Sequence, residues 1–141
     1  MTIRRLLADQ KVRFVLVGGF NTVLGYLTFS ALTLWVFHDV RFGYLLSLFF
    51  SYAIGISVAF VLYRRFVFVV HGHVLRDLAR FVSVYAVSIG INAAVLPVMV
   101  EVVGVPPVLA QAVVVLITTL LSFVGHRSFS FRRDEDVRDV A

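Results

Sequence analysis

The sequence predicts an all-α membrane protein of four transmembrane helices, arranged as two parallel two-helix repeats with both termini in the cytoplasm. Three observations lead there. Sixty per cent of the 141 residues are hydrophobic, and the mean hydropathy is +0.96. A soluble domain of this length cannot hide that much apolar surface, whereas a bilayer solvates it. Four windows, 14–37, 42–63, 81–100 and 102–125, contain no Asp, Glu, Lys, Arg or His. Each reaches the ~20 residues that a helix needs to cross a hydrocarbon core of ~30 Å. Finally, one ending occurs twice. Phe60-x3-Arg64-x-Phe66-x-Phe68 closes one apolar stretch and Phe123-x3-Arg127-x-Phe129-x-Phe131 closes another, while Arg13-Phe14 and Arg80-Phe81 open the two blocks. Two spans per block is an even number. Successive blocks therefore enter from the same side, with a pseudo-axis along the membrane normal.

Charge sets the orientation. Twelve of the 13 Lys and Arg residues fall before span one, between spans two and three, or after span four, and only Arg41 falls on the other side. The positive-inside rule assigns the rich side to the cytoplasm. The same asymmetry accounts for the pI of about 10.2 and makes anionic lipid headgroups the default partner. Nucleic acid is not expected, because the basic residues flank membrane spans. The first window does not read as a signal peptide: it is too long, and Trp35, Phe37 and His38 are not a cleavage site. There is no cysteine, which excludes disulfides and thiolate metal sites.

The elements follow in order. Residues 1–12 form a basic approach in which Ile3, Leu6 and Leu7 can lie in the interface. Span one covers about 14–37, ending at Trp35 and Phe37, where an aromatic belt is expected. The tight connection His38-Asp39-Val40-Arg41 makes span two, 42–63, its antiparallel neighbour. The aromatic and β-branched run Phe66, Val67, Phe68, Val69, Val70 favours extended backbone, and 66–68 with 129–131 are expected to meet as short antiparallel segments. Val74, Leu75, Leu78 and Phe81 have helical spacing and lead into span three, 81–100. Pro106-Pro107 marks the outer turn, and span four covers about 104–125. The transmembrane domain is thus 1–131, with a polar cytoplasmic tail at 132–141. Small residues at Gly43, Ser47, Ser51, Gly55 and Ala59 recur every fourth position in span two, echoed by Ala110, Thr118 and Ser122 in span four. Such rows let helix backbones approach closely, within one chain or across a dimer.

No carboxylate lies inside a span; Asp39 and Glu101 sit at outer ends. A proton-coupled exchanger uses a membrane-buried carboxylate as its carrier, and hydrolysis needs a paired acid and base. The sequence therefore predicts neither that exchanger class nor an enzyme. It shows no metal-ligand cluster and calls for no cofactor; His71 and His73 read as loop residues.

Arg13-Phe14-x-x-Val17-Gly18-x-x-Asn21-Thr22 and Phe60-x3-Arg64-x-Phe66-Val67-Phe68 resemble the GtrA-like family of small four-span bacterial membrane proteins, over nearly all of 13–131. Ala59 and Phe66 depart from the Asn and Trp that the family often carries. The resemblance implies an inner-membrane protein of polyprenyl-phosphate-linked sugar metabolism, one that moves a lipid-linked sugar across the cytoplasmic membrane for cell-surface polysaccharide synthesis. The alternative it implies is a non-transporting scaffold for a membrane glycosyltransferase. Within that resemblance, Arg64 and Arg127 are the leading substrate-binding candidates. Their guanidinium forks match phosphate oxygens and stay charged, against the plainer reading of snorkelling anchors. Arg13 and Arg80 form a second repeated pair. Asn21 and Asn92 are amides inside spans one and three that touch a sugar or bond between helices; Ser88, not Asn92, is the repeat equivalent of Asn21. Gln111 reads as structural.

With this topology, single cysteines introduced by Thr2→Cys and Ala141→Cys will react with an impermeant maleimide only after the membrane is opened; labelling of either in intact cells reverses the orientation.

Overall fold

Backbone amides in a hydrocarbon core have no water to bond, so each apolar window must satisfy its own hydrogen bonds as a helix. A computed structural model of the protein describes residues 8–67 and 71–130, with side chains as far as Leu120 in the last helix. Every regular segment among them is helical. Helix α1 is Gln10–Ala31, continued by a π turn at Leu32–Val36. Helix α2 is Gly43–Leu62, continued by a π turn at Tyr63–Val67. Helix α3 is Val74–Pro97, continued by a π turn at Val98–Val102. Helix α4 is Pro107–Ser130. The first three, with their π turns, are long and apolar enough to cross a membrane, and the fourth carries a shorter apolar stretch over Pro107–Leu120.

Local chemistry explains the ends. The Asp9 side chain caps α1 by accepting from the Lys11 amide at 2.8 Å, satisfying an orphan donor of the first turn. Pro107 opens α4, where a missing N–H costs nothing. Pro97 ends the α-helical part of α3; its absent N–H breaks the ladder, and the chain continues by widening into the π turn. Between α1 and α2 the turn is very tight. A Cβ on Gly43 would sit 2.3 Å from the Phe37 carbonyl oxygen, so only glycine fits there. Phe42, at φ 59, carries the chain through the turn with the Arg41 guanidinium 5.2 Å from its ring centre.

The helices close a ring in which α1 packs on α2, α2 on α3, α3 on α4 and α4 back on α1, with the α1–α2 contact the most extensive. Neighbours run antiparallel: Gly18 of α1 faces Tyr63 at the end of α2, and Tyr44 at the start of α2 donates to Glu101 at the end of α3, 2.9 Å. The ring therefore has two ends. The basic end holds the starts of α1 and α3 and the finishes of α2 and α4. At the opposite end Phe29, Tyr44, Leu48, Leu96 and Ala110 form a core drawing on all four helices. Nearer the basic end Ala59, Tyr63 and Val67 pack with Val17 and Phe81.

The small face of α2 is inside this ring. Gly43, Ser47, Ser51, Gly55 and Ala59 are all buried, and the Gly55 Cβ position lies 3.7 Å from the Asn21 amide of α1. Its partner is thus within the chain. Ser47 and Ser51 return their hydroxyls to carbonyls of their own helix, Gly43 at 3.1 Å and Leu48 at 2.9 Å. Both hydroxyls are thus satisfied within α2 itself. In α4, Ala110 is buried and Thr118 bonds its own helix; the Ser122 side chain lies outside the described residues.

One expectation needs correction. Extended backbone was predicted at 66–68 and 129–131, yet Phe66 and Val67 lie in a π turn and Phe129 in α4. The need to satisfy backbone groups internally overrides β-propensity, which chiefly reports packing context. Phe68, Val69, Val70 and Phe131 lie outside the described residues, as do the basic approach at 1–7 and the tail from Arg132. Helix α3 begins at Val74, where the helical spacing of Val74, Leu75 and Leu78 leads into the span.

Gly43→Ala will destabilise the bundle, and so will Gly55→Leu, each by roughly 1–3 kcal/mol of overpacking, whereas Gly55→Ala will be tolerated. Thermal melts in detergent measure this; a wild-type melt for Gly55→Leu would mean that this face does not carry the contact.

Candidate functional site

The segment joining α2 to α3 gathers charge at the basic end. It holds Arg64, Arg65, Arg76 and Arg80 against one acid, Asp77. The π turn at Tyr63–Val67 sets the paired arginines at the helix finish. Gly72, at φ 99, and His73, at φ 22, fold the chain back before α3 starts. That reversal brings the Gly72 carbonyl onto Arg64 Nη2. Arg64 Nη1 donates to Asp77 Oδ2 at 2.6 Å. Asp77 sits in the first turn of α3, where the positive end of the helix dipole favours a carboxylate. Arg64 therefore braces the end of one helix to the start of the next.

Beside this brace lies a cavity of about 510 Å³. Phe60, Val61 and Val74 form its apolar side; Arg64, Arg65 and His71 form its polar side. The Arg64 side chain is only 15% exposed. Arg65 is exposed, and no ion-pair or hydrogen-bond partner is present for it among the described residues. A pocket lined by guanidiniums and hydrocarbon together suits a phosphate ester attached to a greasy chain.

The structure separates the residues that the sequence grouped. Arg64 lines the cavity, but its outer nitrogens are engaged. Arg127 is in α4 and its side chain lies outside the described residues. Arg13 is half-buried at the start of α1, with its Nε unpartnered among the described residues. The neighbouring Phe14 ring packs on Tyr63 at 5.3 Å. Arg80 is exposed on α3 and does not line the cavity. Asn21 and Asn92 join a different group, deep between α1, α2 and α3. Asn92 is 3% exposed, and its Nδ2 donates to the Tyr52 hydroxyl at 2.8 Å and the Ser88 carbonyl at 3.2 Å. Asn21 lies against Gly55 and interacts with the Tyr85 hydroxyl. The Oδ1 atoms of both amides, and Gln111 Oε1 on α4, are buried without a partner among the described residues. Of these bonds, the one from Asn92 to Tyr52 joins α3 to α2.

Sequence reasoning missed Asp77, Arg65 and His71 as parts of one site, and Tyr52 and Tyr85 as amide partners. One signal was available: Asp77 is the only acid in an otherwise basic connection. The tyrosines gave none, because aromatic residues inside spans are ordinary lipid-facing or core residues. No group of three or more His, Cys, Asp or Glu able to hold a metal ion exists among the described residues.

A four-helix ring of apolar helices with a cationic cavity at its basic end defines a small membrane protein. The family model for the GtrA/DPMS transmembrane domain matches residues 13–131, and the chain belongs to that family. Searches of curated proteins and of solved structures found no match. Membership makes it a membrane protein of lipid-linked sugar metabolism.

Tyr52→Phe removes the hydroxyl that Asn92 reaches and will lower bundle stability by about 1 kcal/mol, read as a shift in denaturant midpoint in micelles.

Proposed function

We propose that the protein translocates a polyprenyl-phosphate-linked sugar across the cytoplasmic membrane, taking the lipid's phosphate into the cavity at the basic end, which faces the cytoplasm. The carrying observation is that cavity: Arg64 and Arg65 line the same space of about 510 Å³ as Phe60, Val61 and Val74, and Arg65 has no protein counter-ion among the described residues. The guanidiniums match phosphate oxygens and the apolar wall matches the first isoprene units. Arg127 is the corresponding cation of the second half, with Arg13 and Arg80 adding positive potential around the mouth. Transport is downhill or coupled elsewhere, since the sequence carries no nucleotide-binding motif.

A second reading has its own observation. The end opposite the cavity is filled by Phe29, Tyr44, Leu48, Leu96 and Ala110 from all four helices. A closed far end suits a scaffold that holds a membrane glycosyltransferase, as one chain or as a dimer. Movement of a labelled polyprenyl-phosphate sugar in vesicles containing only this protein separates the two. Under the transport reading, wild type moves the lipid, and the double variant Arg64→Lys, Arg127→Lys moves it at least about tenfold slower with topology intact, because Lys keeps the charge but loses the fork. Full activity of the double variant removes the phosphate role; no movement by wild type leaves the scaffold.

A further inference from the structure

Arg64 is the residue that both the motif and the cavity mark for an anion, yet an anion already holds it. Asp77 Oδ2 lies 2.6 Å from Nη1 and the Gly72 carbonyl accepts from Nη2, so the outer edge of the guanidinium is taken. The pair is sheltered on the arginine's side, with the Arg64 side chain 15% and the Asp77 side chain 36% exposed. The carboxylate reaches from α3, and the carbonyl is turned toward Arg64 by a loop in which Gly72 and the non-glycine His73 both have positive φ. The first turn of α3 hangs on the same loop, through the Asp77 amide and the His73 carbonyl at 3.2 Å.

We propose that Asp77 is the resident counter-anion of the phosphate subsite, so that a lipid phosphate ester reaches Arg64 only by exchange with the Asp77 carboxylate. The inference rests on the reading of the cavity as a phosphate site. Arg65, which lines the same cavity and has no partner among the described residues, makes the first contact. A phosphate ester then outcompetes a single carboxylate at Arg64, because it offers more acceptor oxygens to the fork and is held by both arginines at once. Two consequences follow from the connectivity. Binding releases Asp77 and Gly72 from Arg64, so occupancy loosens residues 72–77 and the start of α3. The site also rejects weakly held anions, since any ligand must do better than the carboxylate already there.

The test uses the full chain in detergent micelles and farnesyl phosphate, a short polyprenyl phosphate, as probe. Asp77→Asn keeps the shape and removes the competing charge, so it will bind farnesyl phosphate roughly tenfold tighter or more. Adding Arg64→Lys to Asp77→Asn will abolish that gain. In wild type, saturating probe will speed amide hydrogen exchange across 72–77, a readout that holds even if Asp77→Asn folds poorly. Equal or weaker binding by a folded Asp77→Asn variant overturns the exchange, as does protection or no change at 72–77 in liganded wild type. If wild type binds the probe and Arg65→Gln loses it while Asp77→Asn is neutral, the phosphate site stands and the exchange falls. If neither wild type nor Asp77→Asn binds, the phosphate site falls and the exchange with it.

Discussion

Close approach of α1 to α2 is the constraint on which the other contacts hang. Water supplies no hydrophobic drive between helices inside a bilayer, so association depends on packing and on interhelical hydrogen bonds. The row from Gly43 to Ala59 removes side-chain bulk from one face of α2. With that bulk gone, Asn21 of α1 reaches within 3.7 Å of the Gly55 Cβ position, and Tyr63 fits its hydroxyl against Gly18. The larger residues α2 does carry, Tyr44, Leu48, Tyr52 and Tyr63, are left to reach toward α3 and α4. Tyr44 finds Glu101 and Tyr52 finds Asn92. The basic end is a product of the same arrangement, because the finish of α2 and the start of α3 are held side by side by helices already in contact.

At that end two demands meet. The cations gathered at the basic end, Arg13, Arg64, Arg65, Arg76 and Arg80 among them, repel one another and are drawn to anionic headgroups. Between α2 and α3 the single carboxylate, Asp77 at the beginning of α3, ties the basic loop together through Arg64. The ordering leaves the charge balance unequal across a few residues: among the described residues Arg64 is compensated and Arg65 is not. Uniformly snorkelled arginines would show no such division, and both members of the unequal pair line the cavity.

The helices were legible because their rules are local. An uncharged window of sufficient length, a row of small residues every fourth position and a tight four-residue connection each point to one structure in a membrane. The amphipathic lead from Val74 was legible too. The site was legible only in part. Arg64 carried a motif and was found; Asp77 and Arg65 carried none, and their roles come from a loop reversal at Gly72 and His73 that brings residues 13 apart in sequence into contact. The extended reading of Phe66 and Val67 failed because their side chains favour strands only where a partner strand exists. Asn21 and Asn92 were recognised as polar groups needing partners, but the partners are tyrosines, which look apolar in a hydropathy profile.

The π turns have a stereochemical effect that a repeated motif hides. A π turn holds more residues than an α turn, so the helix phase slips by about one residue, roughly 100° of azimuth, by the time the turn is complete. The finish of α2 passes through such a turn at Tyr63–Val67, whereas α4 runs as an uninterrupted α-helix through Ser130. Identical spacing in Phe60-x3-Arg64-x-Phe66 and Phe123-x3-Arg127-x-Phe129 therefore does not give identical backbone phase. The two halves share a sequence signature, yet the backbone that carries it turns through a π turn at the close of α2 and through regular α-helix in α4.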